Sequence, residues 1–63
     1  MFSKAAAEAS ALFNKLAIAV NEGETTWDNH ATELEMELYE AFEEEQRIKV
    51  AVLSMVIARI EAL

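Results

Sequence analysis

An all-α fold is predicted by three features of this 63-residue chain: it has no proline, its single glycine is Gly23, and apolar residues recur at helical spacing on both sides of that glycine. Without proline or further glycine, nothing interrupts the backbone hydrogen-bond ladder in segments rich in Ala, Glu and Leu. At this length one small core leaves little net stability after conformational entropy is subtracted, so a supplement is expected. Cysteine is absent, which removes disulfides and thiolate metal sites and leaves association between chains as the most economical supplement.

The first helix is expected over residues 3–21. Ser3 is placed to cap it, and Gly23 suits the left-handed residue that follows a helix end. Phe2, Ala5, Ala6, Ala9, Leu12, Phe13, Leu16, Ala17, Ala19 and Val20 fall in one arc of about 160°, wide enough to touch two neighbours. The opening segment carries Lys4, Glu8, Asn14 and Lys15, so it reads as an amphipathic helix and not as a secretory leader.

A turn is expected over residues 22–25. Thr25 with Asp28 three residues on fits a capping box, so a second helix should begin at about residue 26. Its apolar stripe runs through Trp27, Leu34, Leu38, Ala41 and Phe42 and resumes at Ile48. Glu45 and Lys49 interrupt it, spaced so that they can pair across one turn. No glycine or proline marks a stop there, so one helix over 26–62 is expected, with 43–46 the place where a break would fall.

Length then sets the architecture. The first helix spans about 28 Å and the second about 58 Å, so the first covers only half of the second. The uncovered part is the most apolar segment of the chain. The expected arrangement is an antiparallel helical hairpin with a long second helix, assembling as a dimeric helical bundle. Self-association is assigned to Ile48, Val52, Leu53, Met55, Val56, Ile57, Ile60 and Leu63, and Glu45 and Lys49 mark the junction between the half packed within the chain and the half packed on another copy.

The formal charge of −7 is concentrated. Residues 22–45 carry ten acids and no Lys or Arg, whereas the flanking segments are weakly basic. Such a block repels nucleic acid and anionic lipid, so direct binding to either is not expected. The apolar C-terminal stretch is too short, and too interrupted by Lys49, Arg59 and Glu61, to span a bilayer. Glu33, Glu37, Glu40 and Glu44 follow helical spacing as one row, an arrangement that repels itself and suits a protein partner with a basic surface.

Chemistry is not expected. Ser3, Ser10 and Ser54 have no histidine within local helical reach, so nucleophilic catalysis lacks a base. His30 with Glu33 and Glu37 has ligand-like spacing, but helix one supplies only Glu8, and a surface histidine is the simpler reading. No metal or cofactor is assigned. The sequence therefore predicts a cytoplasmic, non-enzymatic interaction module, either a small inhibitor or a structural subunit docking its apolar helix on a different protein. A mimic of nucleic acid occupying a basic groove is the third expectation.

Overall fold

The computed structural model describes residues 3–63, and they form three helices. Helix α1 is Lys4–Asn21, α2 is Trp27–Glu43 and α3 is Arg47–Glu61. Among the described residues there is no strand, and the all-α expectation holds. Phe2, assigned above to the apolar arc of α1, lies outside the described residues. Among the described residues no helix is long and apolar enough to cross a membrane.

The start of α1 follows the sequence reading. Ser3 Oγ accepts from the Ala6 amide at 3.0 Å, satisfying one of the free donors of the first turn. At its other end Gly23 takes φ +77°. The Gly23 amide donates to Val20 O and the Glu24 amide to Ala19 O, the paired bonds of a Schellman motif. The second start differs by one residue: Thr26, not Thr25, caps α2, its Oγ1 accepting from the Asn29 amide at 3.2 Å.

The long second helix is not formed, and the helical run breaks between Glu43 and Arg47, at the 43–46 stretch named above as the place for a break. At Glu43 the chain makes a second Schellman motif, with the Glu45 amide donating to Phe42 O and the Gln46 amide to Ala41 O. The left-handed position here is held by Glu45, at φ +58°, where a side chain is disfavoured. That conformation costs about 1–2 kcal/mol. It is offset by turning α3 back onto the rest of the chain, because each large apolar side chain so buried contributes roughly 1.5–3 kcal/mol.

Helix α3 is the centre of the fold, and the principal packing runs from it to both α1 and α2. It supplies Val52, Leu53, Val56 and Ile57 to the core, with Val56 at 0% exposure. They meet Ala9 from α1 and Leu34 and Ala41 from α2, with Leu12, Phe13, Leu16 and Leu38 packed around them. The small residues Ala9 and Ala41 let helix backbones approach closely. The result is a flattened body of 33 × 29 × 17 Å.

This corrects the assignment of the C-terminal third. Val52, Leu53, Val56 and Ile57, expected to face another copy, are buried inside the single chain. Their shelter is α1 and α2 themselves, made available by the turn at Glu45. Of the expected self-association set, Ile48, Met55 and Leu63 remain exposed and Ile60 is half-buried.

Candidate protein-docking surface

Helix α2 carries Asp28, Glu33, Glu35, Glu37, Glu40 and Glu43 and no Lys or Arg. Its core side presents Leu34, Leu38 and Ala41, of which Leu34 and Ala41 are buried. The two flanks of the helix differ in character.

One flank is apolar. Met36, Tyr39 and Phe42 are 63%, 68% and 72% exposed, unusual values for three large apolar side chains in seven residues. Spaced by three, they step around the helix by about 60° each, from the outer side at Met36 towards the edge of the core at Phe42. Thr32, Glu35, Met36, Tyr39 and Glu40 line one shallow depression. A second, bounded by Glu35, Leu38, Tyr39 and Phe42, continues onto Val50 and Ser54 of α3. Phe42 and Val50 also line a third with Glu45 and Arg47. An apolar strip therefore runs from Met36 across α2 to Val50, edged by Glu35 and Glu40, with Arg47 at its far end.

The other flank is acidic and borders a cleft of about 900 Å³ between α1, α2 and the start of α3. Glu33 and Glu37 line it from α2, and Glu8 from α1. The row of carboxylates expected from the sequence is thus divided. Glu33 and Glu37 lie on the cleft, and Glu40 lies beside Met36 and Tyr39. Glu44 sits past the end of α2 as its C-cap residue, where its Oε1 accepts from Gln46 Nε2 at 3.2 Å. All four are exposed.

Phe42 was expected in the core stripe and is the most exposed residue of the strip. The cause is the same turn: α3 folds over the side of α2 bearing Leu34 and Ala41, and Phe42 lies one residue, about 100°, beyond Ala41. The spacing Met36, Tyr39, Phe42 is visible in the sequence and was the available signal. Ile18, on α1, is also exposed, apart from this strip.

His30 is half-buried, with its ring edge-on to Trp27 at 6.2 Å between centroids. Glu8, Glu33 and Glu37 share its cleft. Among the described residues, no group of three His, Cys, Asp or Glu side chains is arranged to hold a metal ion. Comparison with protein-family models, with curated proteins and with solved structures found no match to this chain.

Proposed function

We propose that this protein is a non-enzymatic, cytoplasmic interaction module that docks the Met36–Tyr39–Phe42 strip of α2 into an apolar groove on another protein, with basic residues around that groove. The observation carrying this reading is the combination on one helix of three mostly exposed large apolar side chains with six carboxylates and no opposing cation. Amphipathic helices bind grooves through a few large apolar anchors, and Tyr is among the residues enriched where binding energy concentrates. The carboxylates would steer a basic partner into encounter and disfavour acidic ones. Occlusion of the partner's groove is the whole mechanism, as expected of a small inhibitor or adaptor.

The apolar strip favours a protein-binding groove over a nucleic-acid site as the target, since a mimic of nucleic acid needs phosphate-like charge and not apolar anchors. The test is capture from lysate on immobilised protein, comparing wild type with M36S/Y39S/F42S and with E35K/E40K. All these positions are exposed, so circular dichroism should show the helices retained. Loss of the same partners in both variants supports the reading, and unchanged capture in both removes it.

A further inference from the structure

The cleft on the acidic flank of α2 meets the Met36 strip only at Glu45 and Arg47 and has no role in the docking just proposed. It has an apolar floor that includes Leu12, Leu16 and Leu34, and a rim bearing Glu33 and Glu37. The start of α3 completes it with Arg47, Ile48 and Lys49. Ile48 is 56% exposed between two exposed cations. Among the described residues, neither cation is in ion-pair contact with a carboxylate.

We infer that this cleft is closed by a second copy of the chain in a two-fold dimer, with Ile48 of each protomer seated in the cleft of the other and Arg47 and Lys49 meeting the other's Glu33 and Glu37. A two-fold interface uses one patch twice, so that patch must contain both members of every complementary pair. This one does: an exposed apolar residue and an apolar floor, and two cations with four carboxylates, Glu8, Glu33, Glu37 and Glu45. The Met36 strip does not: its edges carry Glu35 and Glu40, and its one cation, Arg47, lies at the end it shares with the cleft.

The protein exposes 4711 Å², about 700 Å² more than the roughly 4000 Å² of a compact monomer of 7.0 kDa, so the surface as a whole is less economical than an average monomer's. The charge of −7 on each copy opposes association, but over a Debye length of about 8 Å at physiological salt that repulsion is largely screened, while pairs in contact are not. Association between copies, which the sequence assigned to the whole C-terminal half, is thereby narrowed to Ile48 and its two neighbours.

The test is sedimentation equilibrium from about 1 µM to 1 mM, on wild type and on the reversals E33K/E37K and R47E/K49E, alone and mixed. The expected result is a wild-type dimer, at least about tenfold weaker self-association of each variant, and a heterodimer on mixing the two, since each then supplies the charge the other lacks. Wild type remaining monomeric throughout overturns the proposal. So does a dimer indifferent to both reversals, or two weakened variants that fail to pair. Should a variant lose its fold, isotope-filtered NOEs on mixed labelled and unlabelled wild type decide: contacts between copies from Ile48 to Leu12 or Leu16 support the dimer, and their absence in a dimeric sample overturns it. The E33K/E37K arm leaves the Met36 strip untouched, so partner capture by that strip is scored separately on that variant.

Discussion

Phe13 of α1 stacks on Trp27 of α2, with ring centroids 5.1 Å apart and planes 17° from parallel. The Arg59 guanidinium of α3 lies 4.2 Å from the centre of the same Phe13 ring. One aromatic side chain thus ties together all three helices. Phe13→Ala should destabilise the chain by about 2–4 kcal/mol, less than a fully buried Phe because this one is half-buried. Arg59→Ala should cost about 0.5–1 kcal/mol through the lost cation–π contact. Thermal denaturation measures both, and Trp27 emission should shift to the red in Phe13→Ala as its stacking partner is removed.

The two left-handed residues predict substitutions of opposite sign. A Cβ at Gly23 would meet no atom within 4 Å, so the effect of Gly23→Ala is conformational alone and should be a loss of about 1 kcal/mol. Glu45→Gly should gain about 0.5–1 kcal/mol by removing strain at φ +58°. In an uninterrupted helix the latter change would instead lose about 1 kcal/mol. Chemical denaturation therefore distinguishes the two topologies by sign.

Burial on α3 alternates sharply between neighbours. Val56 is wholly buried and Met55 is not. Val56→Ala should cost about 2 kcal/mol, from lost apolar transfer plus an unfilled space. Met55→Ala, at an exposed site, should cost less than about 1 kcal/mol. Equal effects at the two positions would be inconsistent with the packing described.

The cap of α2 offers a test at single-residue resolution. Thr26→Ala removes the acceptor for the Asn29 amide and should cost about 1 kcal/mol. Thr25→Ala leaves that bond intact and should change stability by less than about 0.5 kcal/mol. Urea titrations of the pair give the answer.

What the sequence revealed and what it hid divide along one physical line. Ser3 and Gly23 are legible because the residue type itself performs the local task, accepting from a free amide or adopting positive φ without a Cβ. The α2–α3 turn has the same hydrogen bonds as the α1–α2 turn, yet Glu45 carries no local signature of it, since its conformation is imposed by the burial of Val52, Leu53, Val56 and Ile57. That turn, whose place at 43–46 the sequence indicates but whose formation it does not, explains the missed third helix and the burial of half the assigned self-association set. It also left Phe42 assigned to the core. The exposure of the acids was legible from charge alone, whereas their division between the cleft and the strip required the positions of α1 and α3.

The central claim is that the Met36–Tyr39–Phe42 flank of α2 is the partner-binding surface, and resonance perturbation mapping tests it most directly. With a captured partner added to labelled protein, the account predicts that the largest shifts fall on the Met36 methyl, Tyr39, Phe42 and Val50, with Ala5, Ala9 and Leu12 of α1 little changed. Shifts centred on α1, with the Met36 methyl and the Tyr39 and Phe42 rings unperturbed, would contradict it.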